Sequence, residues 1–505
     1  MQGKIYLKEL DGYEATTEHQ KEYMGLNPAY DLDKVPSQKM REELEDFIKY
    51  RSGQIGIVTL FNERVQYNLL CRFLQKHGRR VKSFRDREKK IWMRQLKGWM
   101  LQEGIPLTRD YKEAYGKITP VRSRLTAYLE MLLEFLEPED TRDEREKNIW
   151  ELKKLDIDFQ ANPIKNYNTL NFTKIYQEGI REEAKKGIYL NLQCEAIATV
   201  SRELTAMRRL SKFLREKHPE IQSCQDIDRE VLEDYLTFLK TEETSTKEFH
   251  SELTRLRGIL ESIGKVLDYP HLEGLFLNRD IPPTHRGEFK VYSDAELKRL
   301  NASIVKMDAQ IARAMVIHQM LGTRISDTLT LQTDCLYEKD GETIIRIRQM
   351  KTKSYQKPIS PELAALIRKA IEYTKGKHGE TEYIFVNEND PSKPLQYGTI
   401  QSSVVRMIHK EDLRDDNGRH FGFGTHMYRH NYGMKLTEMH LDDWTLARLL
   451  GHSNLRNVKY YRRMGNQMLA EETRRARNKL SEMILGCLDG WEEEYEQIRQ
   501  DDSLE

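Results

Sequence analysis

Apolar residues recur at three- and four-residue steps through most of the first 290 positions, a period that suits amphipathic helices and little else. The pattern runs through Phe61–Leu74, Ile91–Leu101, Val121–Leu136, Leu204–Leu214, Val231–Leu239 and Leu253–Leu267, and strand-like alternation is scarce there. The stretch Asp280–Gly287 holds two prolines, a glycine and mostly polar residues, which marks a linker. Ser293 with Glu296 three residues on is a capping box at a helix start. The last domain is therefore expected from about residue 288. Within it Thr343–Arg348 is rich in β-branched residues, and Pro358-Ile359 closes a second run after a polar turn, as in a hairpin. The expected fold class is mainly α: helical N-terminal modules, then an α+β C-terminal domain with a small β-hairpin or sheet.

With about 100–200 residues per domain as a guide, 505 residues allow three or four domains. Asn162-Pro163 and Asn166–Asn171 are rich in turn formers. The expected division is an N-terminal helical module over 1–150, a linker region over 151–190, a helical module over 191–287, the mixed domain over 288–488 and an acidic tail over 489–505. A weak internal repeat is visible, which two helical modules of similar plan would explain, as would the general likeness of amphipathic helices. Phe73-Leu74 followed by Lys76-His77 has a counterpart in Phe213-Leu214 followed by Lys217-His218, and each is succeeded by a polar turn and a second helix.

Charge narrows the partners only locally. The 82 Lys and Arg nearly balance the 81 Asp and Glu, so the whole chain does not announce nucleic-acid binding. Residues 72–97, however, hold eleven Lys or Arg opposed only by Asp86 and Glu88, with Trp92 inside the stretch and Trp99 just beyond. Such a stripe suits phosphate contacts that position rather than read DNA. The five cysteines are widely spaced and odd in number, which excludes a metal-ligand motif and argues against a disulfide framework. No run of about 18 apolar residues is present. Glu9, Asp11 and Glu14 sit where a signal peptide would be apolar. A soluble, cytoplasmic, nucleoid-associated protein with no membrane partner is expected.

Four segments in the last domain carry the chemistry. They are Leu321-Gly322-Thr323-Arg324-Ile325-Ser326-Asp327, Gln349-Met350-Lys351-Thr352-Lys353, His426-Met427-Tyr428-Arg429-His430, and Leu449-Leu450-Gly451-His452 with Tyr461 nine residues after the histidine. In this order and spacing the chain resembles the tyrosine recombinase (phage integrase) family. That family carries an arginine in a G-x-R-x-S-[DE] context, a hairpin lysine, an H-x-x-R pair, an L-G-H segment and a tyrosine nine residues beyond it. Any one part is weak alone; their conjunction over about 200 residues is specific.

The resemblance implies a site-specific DNA recombinase, an enzyme that cuts and rejoins strands through a 3′-phosphotyrosyl link to Tyr461, leaving a free 5′-hydroxyl. Physical chemistry assigns compatible roles. Guanidinium forks at Arg324 and Arg429 match phosphate oxygens bidentately and favour the pentacovalent transition state. His426 is the expected base for the tyrosine, the hairpin lysine the donor to the departing oxygen, and His452 a donor to a phosphate oxygen. Lys351 is preferred over Lys353 for its fit to the family's lysine-threonine turn, and Tyr461 over Tyr460, which would point about 100° away on a helix. Asp327 is expected to support rather than react, and His430 to be structural. No metal, cofactor or ATP is expected: the arginines supply positive charge and the phosphotyrosine conserves the bond energy.

The resemblance further implies that the module over 191–287 is a core-binding domain that clamps duplex DNA, and that a homotetramer forms on two DNA sites, with accessory proteins as further partners. The extension over 1–150 would be an arm-type DNA-binding or protein-contact module. The segment from Ile175-Tyr176-Gln177 and Arg181 to the Asp280–Pro283 linker looks like the transposon-borne recombinases of the transposase A and B kind, so integration or excision of a mobile element is expected. A type IB topoisomerase would share the chemistry, and a silent DNA-binding paralogue would share the fold; the L-G-H–tyrosine spacing and the intact residue set favour the recombinase.

Overall fold

A computed structural model describes residues 3–452 except 15, 114–115, 139, 242–248, 284–290, 350–353 and 440, together with 454, 455, 458, 474 and 479. Lys351, Lys353, Tyr460 and Tyr461, most of the expected terminal helix and the acidic tail lie outside the described residues. The chain forms two compact units, Met1–Asp143 and Glu144–Glu505.

The first unit runs β1 (Lys4–Tyr6), α1 (Glu18–Met24), β2 (Ala29–Asp31), α2 (Gln38–Ser52), α3 (Ile57–His77), α4 (Lys89–Gln102), β3 (Thr108–Lys112), β4 (Ile118–Arg122) and α5 (Arg124–Leu136). Its core gathers the apolar faces of α2–α5 around Trp92, Trp99, Phe47 and Phe73. The pairs β1–β2 and β3–β4 are two-stranded and antiparallel. At three to five residues these strands are too short to show an alternating signature.

The second unit opens with β5 (Ile149–Glu151), β6 (Thr169–Asn171), α6 (Glu178–Cys194), α7 (Ile197–Lys217), α8 (Arg229–Thr241) and α9 (His250–Leu267). Residues 151–190 thus correct the expectation of a linker. Leu152, Leu155, Leu170, Phe172, Ile175, Ile180, Ala184 and Ile188 are all buried in the core of this module. The turn formers near Asn162-Pro163 do make a crossing, but a pinned one. Ile197 N donates to the Gln160 carbonyl, and Tyr397 N to that of Ile164; Ile164 itself is buried in the core of the following domain.

The similar plan of the two helical modules is a residue-by-residue correspondence. α2, α3 and α4 start at Gln38, Ile57 and Lys89, and α6, α7 and α8 at Glu178, Ile197 and Arg229, a constant offset of 140 residues (178 − 38). Buried Cys71, Phe73, Leu74, Phe84, Trp92, Leu96 and Trp99 correspond to buried Ser211, Phe213, Leu214, Cys224, Leu232, Leu236 and Leu239. Polar details recur as well. Glu43 accepts from the Ser83 hydroxyl and from Phe84 N at 2.9 Å; Glu183 accepts from the Ser223 hydroxyl and Cys224 N, both at 2.6 Å. Arg41 donates to the Val35 carbonyl and Arg181 to that of Ile175. Arg51 pairs with Glu63 where Asn191 bonds Glu203. One four-helix plan is present twice.

The mixed domain follows: α10 (Asp294–Ile304), α11 (Ala309–Leu321), α12 (Ile325–Leu329), β7 (Leu336–Lys339), β8 (Glu342–Ile347), β9 (Tyr355–Pro358), α13 (Pro361–His378), β10 (Val386–Asn387), β11 (Asp390–Pro394), α14 (Tyr397–Lys410), α15 (Thr425–Glu438) and α16 (Asp443–Leu450). The capping box at Ser293 and Glu296 forms with both reciprocal bonds. The expected hairpin is β8–β9, widened by β7 to a three-stranded antiparallel sheet in the order β7-β8-β9. Ile345 and Ile347 are buried on its core face, with Lys357 and Tyr355 as their register partners. No helix among the described residues is long and apolar enough to cross a membrane.

The carboxylate of Glu43 satisfies buried donors at the turn before α4, so Glu43→Ala leaves them unpaired. A loss of about 1–3 kcal/mol of stability is expected. Glu183→Ala should act in the same direction. Urea unfolding of each variant checks this, and unchanged midpoints would remove these carboxylates from the account of the fold.

Candidate active site

Two helix ends meet here. α11 stops at Gly322 and α16 at Gly451, each glycine in the left-handed conformation (φ +61° and +66°). Glycine is required twice over, for that φ and for space. A Cβ on Gly322 would fall 2.2 Å from the Tyr432 ring, and one on Gly451 2.5 Å from both Gln349 and Tyr355. Each turn delivers a residue of the sequence motif. Arg324 occupies the position just before α12 with no side-chain cap bond, and His452 leaves α16 with its N–H on the Ala447 carbonyl.

Helix C-termini leave carbonyls unpaired and carry partial negative charge, so cations suit them. Arg429, reaching in from α15, is 1% exposed. Its Nη1 donates to the Gly322 carbonyl at 2.9 Å, and its Nη2 to the Leu450 carbonyl at 2.7 Å. Nη2 also lies 3.2 Å from His452 Nε2. Because a guanidinium only donates, that nitrogen accepts and the neutral ring carries its proton on Nδ1. Burial, followed by the charges of Arg429, Arg324 and His426, lowers the His452 pKa to about 4.

Lys357 is the residue that motif spacing missed. Its ammonium donates to the Leu321 carbonyl at 2.5 Å and the Leu449 carbonyl at 3.3 Å, one residue before each carbonyl that Arg429 holds. Burial and then the Arg429 charge lower its pKa to about 7. The available signal was alternation: Lys357 is two residues from Tyr355 on a strand, so both face the core. His318, fully buried, ties the same region together. Its Nδ1 lies 2.9 Å from the Thr328 hydroxyl and its Nε2 3.1 Å from the Thr425 carbonyl. Burial lowers its pKa to about 4, which keeps it neutral.

Arg324, Arg429, His426 and His452 are thus brought to one locality, close enough for the other three to bear on the titration of His452. Arg324 Nη1 lies 3.7 Å from Asp327 and, although buried, has no hydrogen-bond acceptor among the described residues. A buried guanidinium nitrogen with donors to spare suits an incoming anion. His426 is exposed, its ring edge-on to His430 at 4.8 Å. Beside His452 opens a cleft of about 590 Å³ lined by Gln349, Tyr355, Trp444, Gly451 and Leu455, among others. Gln349 Nε2 donates to the Gly451 carbonyl at 3.1 Å, joining the hairpin to the His452 turn. The hairpin lysines and Tyr461 are not among the described residues, so the assembled part is two arginines and two histidines. Among the described residues no cluster of His, Cys, Asp or Glu has the makings of a metal site.

A helical domain with a three-stranded sheet, in which an arginine after a glycine turn, an H-x-x-R pair and a glycine-histidine turn converge, defines a class. Residues 290–468 match the family model described as the phage integrase family, the tyrosine recombinases. Among curated proteins, transposase B from transposon Tn554 of Staphylococcus aureus strain Mu50 is 24% identical over 399 residues, covering 77% of this chain and 63% of the relative. Transposase B from transposon PsiTn554 of Staphylococcus aureus is 24% identical over 405 residues with the same coverage. The chain therefore spans less than two thirds of the length of these relatives. Among solved structures, XerH site-specific recombinase bound to difH substrate is similar at 17% identity and a TM-score of 0.42, covering 60% of this chain and 90% of that one. A lambda integrase dimer bound to a core site is similar at 16% identity and a TM-score of 0.41, covering 55% and 95%.

The buried amine gives a pH signature. Lys357 titrates near 7 in the folded chain against 10.5 in its ordinary state. As pH falls from about 10.5 to 7 the unfolded chain takes up this proton first, so native stability declines over that window and no further below it. Lys357→Met abolishes that component. Urea unfolding should show wild type losing stability relative to the variant between pH 10 and 7. Parallel profiles would mean that the amine is not buried as described.

Proposed function

We propose that this chain is a site-specific DNA recombinase that cleaves and rejoins strands through a 3′-phosphotyrosyl intermediate on Tyr461, serving integration or excision of a mobile element. The observation that carries this is the convergence of Arg324, Arg429, His426 and His452 at two helix ends, with a buried Arg324 nitrogen that has no acceptor among the described residues. The similarity to transposase B of Tn554 supports the mobile-element setting.

In the proposed reaction the Tyr461 phenolic oxygen attacks a backbone phosphorus. The P–O3′ linkage stays, the P–O5′ bond breaks, and a P–O(Tyr) bond takes its place. His426 accepts the phenol proton; the hairpin lysine, Lys351 before Lys353, gives a proton to the departing 5′-oxygen. Arg324 offers its guanidinium donors to the non-bridging oxygens, where charge grows in the transition state. Arg429 adds its charge from below while holding the two turns that present Arg324 and His452. His452 completes the cradle as a hydrogen-bond donor. Attack by a different 5′-hydroxyl reverses the chemistry and joins new partners, so no energy source is consumed.

Within this proposal the helical module over 191–287 is the core-binding domain, the module over 1–150 an accessory DNA-binding one, and the working assembly a homotetramer on two duplex sites, with accessory proteins as further partners. A type IB topoisomerase would perform the same cleavage without exchanging partners.

A nicked duplex bearing the element's terminal sequence tests the chemistry. Covalent protein–DNA adduct is expected with wild type and absent in Tyr461→Phe. Arg324→Ala should lower the cleavage rate by roughly 10²–10³. Adduct that persists in Tyr461→Phe would overturn the assignment of the nucleophile. Relaxation of any supercoiled plasmid without exchange between two duplexes would favour the topoisomerase.

A further inference from the structure

The duplicated module provides an internal control for the basic stretch of the first unit. Residues 72–97 and 212–237 build the same elements: the end of a long helix, a turn, a short 3-10 segment and the start of the next helix. Buried Phe73, Leu74, Val81, Phe84, Trp92 and Leu96 coincide with buried Phe213, Leu214, Ile221, Cys224, Leu232 and Leu236. The charges of the two stretches do not. The first carries eleven Lys or Arg against two carboxylates, the second four against seven. Since the second copy folds on the same plan with an acidic surface, the fold does not call for the basic one.

Nor is the charge used up internally. Arg72 and Lys76 pair with Glu103, and Lys89 with Glu130 and Glu134. Among the described residues no carboxylate pairs with Arg79, Arg80, Lys82 or Arg85 in the turn, or with Lys90, Arg94 and Lys97 on α4, and all seven are exposed. Lys90, Arg94 and Lys97 stand at i, i+4 and i+7, one face of α4, opposite the buried Trp92, Leu96 and Trp99. Arg87 fastens the turn to this helix by donating to the His77 carbonyl and the Gln95 side chain. Both tryptophans are in the core, so base stacking is not their task. The exposed face of α4 carries one apolar side chain, Leu101 near its end, and no exposed aromatic; its cations suit a phosphate backbone.

We infer that the surface formed by the turn over 79–85 and the exposed face of α4 docks on the phosphate backbone of duplex DNA, a role its acidic counterpart in the second module has lost or never had. The identity of the polyanion as DNA rests on the recombinase proposal; the existence of the docking surface rests on the charge divergence between two copies of one fold. The contact adds affinity without sequence preference.

The test is binding of the full chain to a random-sequence duplex of about 60 base pairs over a range of salt concentrations. Arg79→Gln, Arg80→Gln, Lys90→Gln and Arg94→Gln combined should reduce the slope of log affinity against log salt by about 3–4 and weaken binding at low salt at least about tenfold. The charge-preserving combination of Arg79→Lys, Arg80→Lys and Arg94→Lys should keep the slope, which a packing role would not predict. An unchanged slope in the glutamine variant overturns the inference. So does a slope equally lost in the lysine variant, or a finding that the glutamine variant loses only salt-dependent self-association without DNA, which would make a second copy the occupant. Adduct yield on the nicked duplex is read in parallel: wild type that binds with the expected slope but forms no adduct would fail the recombinase proposal and leave the docking surface standing.

Discussion

Two buried cations hold the site. Arg429 donates to the carbonyls of Gly322 and Leu450, and Lys357 to those of Leu321 and Leu449. Four consecutive-pair carbonyls at two helix ends are thereby joined by two side chains from a third helix and a strand. Without those donors, two negative helix ends would face each other in a dry interior, each with unpaired acceptors. Everything else at the site depends on this join, because Arg324 and His452 are the residues that follow the two turns. Arg429 thus has a structural reason to be an arginine in addition to its charge: its two terminal nitrogens serve the two carbonyls separately, and Nη2 also reaches His452.

The neutral histidines follow from the same crowding of charge. His318 is sealed between Thr328 and the Thr425 carbonyl, and His452 sits beside two guanidinium groups. Desolvation and like charge act in one direction, so both rings stay uncharged near neutrality. A neutral His452 accepts from Arg429 at Nε2 and carries its proton on Nδ1, the one ring nitrogen that can donate. The tight approach of Tyr432 to Gly322, and of Gln349 and Tyr355 to Gly451, means that the two turns are also held sterically.

The two helical modules show how far a fold constrains a surface. Core positions, the buried carboxylate that accepts at the turn, and the arginine on the preceding carbonyl all recur at one offset. These are the positions at which substitution leaves a void or an unpaired polar group. Exposed charges meet no such penalty and have diverged in sign. Conserved interior with inverted exterior is the expected result when one architecture is kept for two different contacts.

Helical periodicity, the capping box at Ser293 and the β-branched run at Thr343 were enough to give the element types, because local patterning reports which face of an element is buried. The motif order likewise singled out Arg324, Arg429, His426 and His452, which the fold brings to one locality, and the family whose model residues 290–468 match. Three features escaped. The short strands of the helical modules carry too few residues for a period to show. The segment over 151–190 reads as polar turns, yet its scattered Leu, Ile and Phe fill a core assembled by helices far along the chain. Lys357 reads as an ordinary charged residue at a strand end, and only its register opposite Ile345 puts it inside. Sequence by itself determined which residues are chemically equipped and which elements they lie on, since those depend on neighbours three or four positions away. Tertiary structure alone decided that Lys357 and Arg429 share the work of joining two helix ends, because that depends on carbonyls brought together from positions more than a hundred residues apart.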